Sequence, residues 1–311
     1  MGYNRERAVT GMEISIIIVA YNSEDTICGC VNSILSTVKK NSFEIIISDN
    51  SPNGLTQKAV EKEFGNEKKV KYIKNKENYG FSKGNNIGIK QARGRYVLFL
   101  NPDTKVYEDT VDGMIEFMEN NPDCGAATCF MELPNGQLDD SSHRGFPTPW
   151  NSFSHFSGLS KVFRHSKLFG GYNMTFLDTS HTHEIDALAG SFMIVPYSVG
   201  EKLNWWDEDY FFYGEDLDFC YRIKKAGLKI YFVAEYKALH MKGISSGIKK
   251  VSQHTSKASN ETKKFATHHR FLAMEIFYKK HYQEKYPRVV GFLVQTGINA
   301  MRSKTLRSLS K

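Results

Sequence analysis

Long hydrophobic runs are missing from this chain: no stretch approaches the ~20 consecutive apolar residues that a bilayer-crossing helix needs. No early segment joins a basic start, an apolar run and a small-residue cleavage site, so the expectation is a cytosolic protein. Cysteine is scarce, with five residues (Cys28, Cys30, Cys124, Cys129 and Cys220) that are scattered, odd in number and unaccompanied by ligand-spaced histidines. That pattern argues against a disulfide framework or a zinc site and for buried thiols. No phosphate loop of the Walker type is present, and Gly80, Gly84 and Gly88 do not match the dinucleotide fingerprint. Their four-residue spacing suits close packing of a helix instead. No nucleic-acid motif accompanies the basic residues, so no nucleic-acid partner is expected.

What is present is enough apolar material for a large core. The 311 residues are 41% hydrophobic and 13% aromatic, which fits one large domain with an appendage. The net charge of +7 is weighted toward the end, at Lys279, Lys280, Lys285, Arg288, Arg302, Lys304, Arg307 and Lys311. An anionic membrane surface is the partner this C-terminal region suggests.

Tyr96 to Leu100 is a run of five apolar residues between Gly94 and the turn Asn101-Pro102, followed by Asp103. Such a run reads as a strand buried on both faces, as in a mainly parallel sheet. Similar strands are expected at Ile14–Ala20, Phe43–Ser48 and Val70–Ile73. Helices fall between them: one capped by Ser23 with Glu24 and Asp25 in its first turn, one over Thr56–Phe64 and one over Ser82–Ala92. The alternation predicts an α/β, Rossmann-like fold with right-handed crossovers. Four strand ends then share one rim, where such sheets bind ligands. They carry Ala20-Tyr21-Asn22, Asp49-Asn50, Asn78 and Asn101-Pro102-Asp103, small polar or acidic groups suited to a base, a ribose and a diphosphate-bound metal.

Further along, Val111 to Met118 reads as a helix and Gly125 to Met131 as a strand, whereas residues 132–183 show weak periodicity and read as loops. Gly190-Ser191 sits inside an apolar run where a backbone can approach a ligand. Glu215 and Asp216 open a helix after Gly214, Asp218 is positioned to pair with Arg222, and Lys229–Val233 reads as a strand leading to His240. Residues 243–247 look like a lid. A helix over Glu261–Tyr282 and a last amphipathic segment after Pro287 complete the chain. This gives a leader at 1–11, a main domain at 12–250 divided near residue 103, and a C-terminal helical region at 251–311.

The ordered set Val19-Ala20-Tyr21-Asn22, Asp49-Asn50-Ser51, Asn78-Tyr79-Gly80-Phe81, Asn85-Asn86-Ile87-Gly88, Leu100-Asn101-Pro102-Asp103, Gly190-Ser191-Phe192-Met193, Tyr213 to Asp218 with Arg222, and His240 resembles the family 2 glycosyltransferases. Within that family it resembles the bacterial rhamnosyltransferase branch that builds cell-surface polysaccharides. The resemblance implies a GT-A fold, a nucleotide-sugar donor, a divalent cation (Mg2+ or Mn2+) and inversion at the anomeric carbon. It assigns Tyr21 and Asp49 to the nucleobase, and Asp103 with His240 to the metal or diphosphate. Ala20, Asn22, Asn78, Gly80, Lys83, Asn86 and Asn101 complete the implied donor site. Gly190, Ser191, Trp206 and Glu215 face a lipid-linked saccharide acceptor, and Asp216, with Glu215 beside it, supplies the base. The first carboxylate of the usual aspartate-any-aspartate pair is here Asn101. dTDP-L-rhamnose is the donor the branch suggests; UDP-galactofuranose, another UDP-hexose or a non-catalytic nucleotide-sugar-binding subunit are the alternatives. A peripheral site on the inner face of the cytoplasmic membrane follows from the acceptor, and homodimer formation stays open.

Overall fold

The structure, a computed structural model, describes residues 11–241 and 260–309. Residues 1–10 of the expected leader and the expected lid at 243–247 lie outside the described residues. The first half runs β1 (Ile14–Ala20), α1 (Ile27–Thr37), β2 (Phe43–Asp49), α2 (Leu55–Phe64), β3 (Val70–Lys74), α3 (Gly80–Ile89) and β4 (Tyr96–Leu100). The four strands are parallel in the order β3-β2-β1-β4. β2 and β4 are buried along their whole length, which explains the unbroken apolar run of β4 and the Ile45–Ile47 run of β2. α1 begins later than the sequence suggests: Thr26 is its cap residue, and the Ser23 carbonyl accepts from the N–H groups of Thr26 and Ile27. Glu24 and Asp25 lie in the turn before it. α3 packs so closely on β1 that a Cβ at Gly88 would sit 2.7 Å from a methyl of Ile17, the reason for its spaced glycines.

The second half adds β5 (Thr104–Val106), α4 (Thr110–Asn120), β6 (Cys124–Glu132), α5 (Pro149–Ser157), α6 (Leu159–Val162), β7 (His183–Ile185), β8 (Phe192–Pro196), α7 (Tyr197–Lys202), α8 (Glu215–Lys225) and β9 (Lys229–His240). β8 is inserted antiparallel between β4 and β6, and β9 lies parallel to β6. β5 and β7 pair antiparallel with β9, so the sheet is mostly parallel with reversed members in one half. β9 is longer than expected because, beyond a register shift, its second part continues along β6 and pairs Thr104 with His240. The region read as loops contains α5 and α6. The Thr148 hydroxyl accepts from the N–H of Asn151 at 3.1 Å with Pro149 in the first turn, and Gly158 at φ 86° ends α5. These helices leave no period in the core because Trp150, Phe153 and Phe156 point outward.

Alternate strand residues feed two core layers. Ile16, Ile18 and Leu98 meet α1, α2 and α4 on one face, and Ile17, Val97 and Phe99 meet α7, α8 and Trp206 on the other. All five cysteines are free thiols, four of them buried. α9 (Asn260–His281) docks on α8, where Phe277 packs against Tyr221 and His281 Nε2 lies 2.7 Å from Asp218. α10 (Arg288–Leu309) packs on α9 through the pair Arg302–Glu275. Among the described residues no helix is long and apolar enough to cross a membrane.

Candidate active site

The first three strand ends form one hydrogen-bonded rim. The side-chain amide of Asn50 donates to the carbonyl of Gly80 at 2.9 Å, its carbonyl accepts from Asn75 at 2.9 Å, and its backbone N–H donates to Ala20 at 2.8 Å. Asn22, at φ 49°, donates its backbone N–H to Ser51 Oγ at 2.8 Å. Tyr21 projects from this rim with 39% of its surface exposed, so its ring is available to a ligand. Asn78 is exposed and accepts from the Gly80 N–H at 3.0 Å in a turn that starts α3. Gly80 has φ 77°, and a Cβ there would meet the carbonyl oxygen of Phe211 at 2.3 Å. A side chain at this position is thus excluded by packing. Lys83 is exposed, with Nζ 4.2 Å from the centre of the Tyr79 ring.

Three expected contacts are corrected here. Asp49 is fully buried, and its carboxylate accepts from Ser51 N–H, Ser51 Oγ, Tyr72 OH and Lys74 Nζ. Four donors fill the roughly four lone-pair directions of a carboxylate, so Asp49 anchors the end of β2 instead of meeting a nucleobase. Asn86 is committed to the backbone of Trp206, donating to its carbonyl at 2.9 Å and accepting from its N–H at 3.3 Å. Trp206 itself is only 2% exposed and packs edge-on against Phe81 and Phe99, which removes it as a surface for stacking a sugar. Gly190 acquires a packing role from the same cluster, since a Cβ there would lie 3.0 Å from the Phe81 ring.

The pairing of β5 with β9 brings Asp103 and His240 together although they stand 137 positions apart in sequence. His240 Nε2 is 3.4 Å from Asp103 Oδ1 and 3.5 Å from Asn101 Nδ2, and its Nδ1 is 2.9 Å from Asp139. All three ionisable side chains are buried. Burial opposes a charge on His240, but its hydrogen bonds to Asp103 and Asp139 outweigh that and push its pKa up to about 9. Asp139 was not anticipated. It stands after a strand end in a run, Asp139-Asp140-Ser141-Ser142, whose local signal is only a turn.

The second carboxylate centre lies at the start of α8. Asp216 Oδ2 accepts from Arg144 Nη2 at 2.7 Å, and Oδ1 accepts from the Leu217 N–H at 2.8 Å. Two of its lone-pair directions are left for another donor. Arg144 was likewise missed, because it sits in the aperiodic region with no motif around it. Glu215 is buried, and its Oε2 has no hydrogen-bond partner. Burial, reinforced by the charge of Asp216, holds the Glu215 carboxyl well above the usual carboxylate range. Ser191 Oγ and Arg144 Nε are also buried without partners. Asp218 pairs with Arg222 at 2.7 Å, as its spacing predicts.

A short path joins the two centres. Arg144 Nη2 reaches the carbonyl of Leu188 at 3.4 Å, and the carbonyl of Ser191 accepts from the Asn101 N–H at 3.1 Å. Three residue steps can span at most about 11 Å, which bounds the separation of the Leu188 and Ser191 carbonyls that the two groups reach. Among the described residues no cluster of three or more His, Cys, Asp or Glu could hold a metal by itself. Two protein donors still fit a hard cation, which keeps waters and takes phosphate oxygens to complete its shell. The carboxylate behind His240 Nδ1 matches the usual support of a ligating imidazole.

This architecture, a mostly parallel sheet flanked by helices, is a GT-A-type fold. It superposes with a TM-score of 0.57 on a crystal structure of GalNAc-T7 with UDP, GalNAc and Mn2+, at 18% identity, covering 88% of this chain and 58% of that one. The family model described as Glycosyl transferase family 2 matches residues 15–184, more than half of the chain, and the chain belongs to that family. It is 28% identical over 237 residues to Rhamnosyltransferase WbbL of Escherichia coli (strain K12), covering 73% of this chain and 83% of that one. Over 106 residues it is 39% identical to UDP-Glc:alpha-D-GlcNAc-diphosphoundecaprenol beta-1,3-glucosyltransferase WfaP of Escherichia coli, covering 34% of this chain and 41% of WfaP.

Proposed function

We propose that this chain transfers a sugar, with inversion, from a nucleoside diphosphate donor to a hydroxyl of a lipid-linked saccharide in cell-surface glycan assembly. dTDP-L-rhamnose is the donor to test first, on the strength of the relative named a rhamnosyltransferase. UDP-glucose, which the name of WfaP carries, and UDP-galactofuranose are the next. The observation that carries the reading is the pairing of a closed, buried Asp103–His240–Asp139 group with an Asp216 that keeps free lone pairs a short backbone step away.

In this reading Tyr21, Asn22 and Asn78 line the nucleotide side of the rim, and Asn101, Asp103 and His240 face the diphosphate. A divalent cation bound by Asp103 and His240 would supply charge neutralisation as the diphosphate departs. Arg144 cannot lose its proton in a protein, so it holds a fixed positive charge against Asp216 and fixes the direction of Oδ2. Asp216 then accepts the proton of the acceptor hydroxyl as that oxygen attacks from the face opposite the leaving group. Glu215 stays uncharged at neutral pH and offers the acceptor a hydrogen-bonding O–H.

A screen of melting temperature with dTDP- and UDP-sugars, with and without Mn2+, tests donor class. A ligand at 100 times its Kd stabilises by about 2.7 kcal/mol, and no response to any nucleotide sugar would end the proposal. The Arg144–Asp216 pair also favours a second reading, in which Asp216 is only a counterion and the chain binds donor without turning it over. Slow donor hydrolysis lost in Asp216→Asn separates the two.

A further inference from the structure

Residues 141–177 contain no aspartate or glutamate, while Arg144, Lys161, Arg164 and Lys167 fall within them. Within this span α5 and α6 expose Trp150, Phe153, Phe156, Val162, Phe163 and Leu168, with Val162 at 74% and Phe153 at 57%. The span is folded and held. Trp150 Nε1 donates to the carbonyl of Leu168 at 2.7 Å, Ser154 Oγ donates to that of Phe169 at 2.7 Å, and His155 stacks on Tyr172. Apolar rings fixed outward in water forfeit the gain of burial, roughly 25 cal/mol per Å², and a contiguous exposed patch of this kind marks a contact surface.

We propose that residues 149–168 form a docking surface for an anionic lipid bilayer. Tryptophan, phenylalanine and leucine interleaved with lysine and arginine, with no carboxylate among them, are the composition of elements that lie in the interface of a membrane. A second copy of this chain is a poorer occupant, because an isologous contact would oppose the like charges of Lys161, Arg164 and Lys167. The surface is rooted beside the candidate base: the chain leaves it through Gly145, whose N–H donates to the carbonyl of Tyr172 at 3.0 Å, directly after Arg144, which grips Asp216. Docking there would bring a lipid-borne hydroxyl to α8; this last consequence alone rests on the acceptor reading above. α10 offers a separate apolar strip at Val289, Phe292 and Leu293. Two weak contacts together give the stable attachment that one does not.

The test is sedimentation of the full chain with vesicles of phosphatidylcholine, alone or mixed with phosphatidylglycerol, and needs no sugar transfer, so its failure and that of the transferase reading are distinguishable. The wild-type chain should bind the mixed vesicles and not the neutral ones. Lys161→Glu/Arg164→Glu/Lys167→Glu should lower vesicle affinity at least tenfold, since each basic residue near such a surface contributes several-fold. Phe153→Ser/Phe163→Ser should lower it as well and abolish the blue shift of Trp150 emission, with melting temperatures unchanged because these side chains are exposed. The inference is overturned if both variants of the 149–168 surface bind like wild type while Val289→Ser/Phe292→Ser alone loses binding. It is overturned equally if the wild-type chain binds neither vesicle, or if it is a dimer that Phe153→Ser/Phe163→Ser makes monomeric.

Discussion

Asp103 and Asp216 are held in contrasting ways. Asp103 belongs to a closed group in which both ring nitrogens of His240 have a carboxylate beside them. Around Asp216, by contrast, Glu215 Oε2 and Arg144 Nε are buried without partners. Buried polar atoms left unpaired each cost about 1–3 kcal/mol. The difference is between a histidine whose two ring nitrogens both face carboxylates and a carboxylate whose neighbours keep polar atoms unpaired.

The sharpest way to break this contrast is Asp216→Asn. If Asp216 is the base, kcat should fall by about 10² to 10⁴ while the stabilisation given by bound donor stays the same. Equal loss of donor binding would put Asp216 with Asp103 instead. Asp139→Asn should act at the other centre, weakening divalent-cation affinity by about 10- to 100-fold as loss of a carboxylate behind a ligating histidine does, with kcat at saturating cation nearly kept. A titration calorimeter reads that directly, and an unchanged affinity would mean that Asp139 serves only the fold. The mildest effect is expected for Glu215→Gln. The Glu215 pKa is raised in the folded chain, so its contribution is favourable below the ordinary carboxylate value and is lost as pH rises toward the folded value. Removing its charge should raise the melting temperature by a few degrees at pH 8 and leave it unchanged near pH 4.

A further test uses His143, the residue before Arg144, whose Nε2 is 2.7 Å from that of His183. Burial and the neighbouring ring lower its pKa to about 4. The unfolded chain therefore takes up the proton first, and stability should fall by up to about 3 kcal/mol as pH drops from 6.5 through 4. His143→Phe should flatten that part of the profile. A slope that survives the substitution would assign the acid sensitivity to other groups.

The first half was legible because its strands are short, mainly apolar and separated by periodic helices, so the places of Tyr21, Asn22 and Asp103 just beyond strand ends could be read directly. The second half was less so. β8 is an antiparallel strand inserted between β4 and β6, and nothing local announces that. Asp139 and Arg144 matter through partners 101 and 72 residues away, a pairing no local pattern encodes. Trp206 was misread because a ring suited to stacking on a sugar is equally suited to filling a core, and only burial decides. Asp49 was misread for a related reason: position at a strand end says where a carboxylate is, not whether its oxygens are already taken.

The seam between β5 and β9 has an implication for how the chain is made. His240 meets Asp103 only when the last strand of the sheet is laid down, and contacts so distant in sequence form late. A nascent chain stopped before Lys229 would carry its four parallel strands complete and yet lack the histidine that stands beside Asp103. Synthesis therefore completes the parallel strands first and the contact between Asp103 and His240 only at the end.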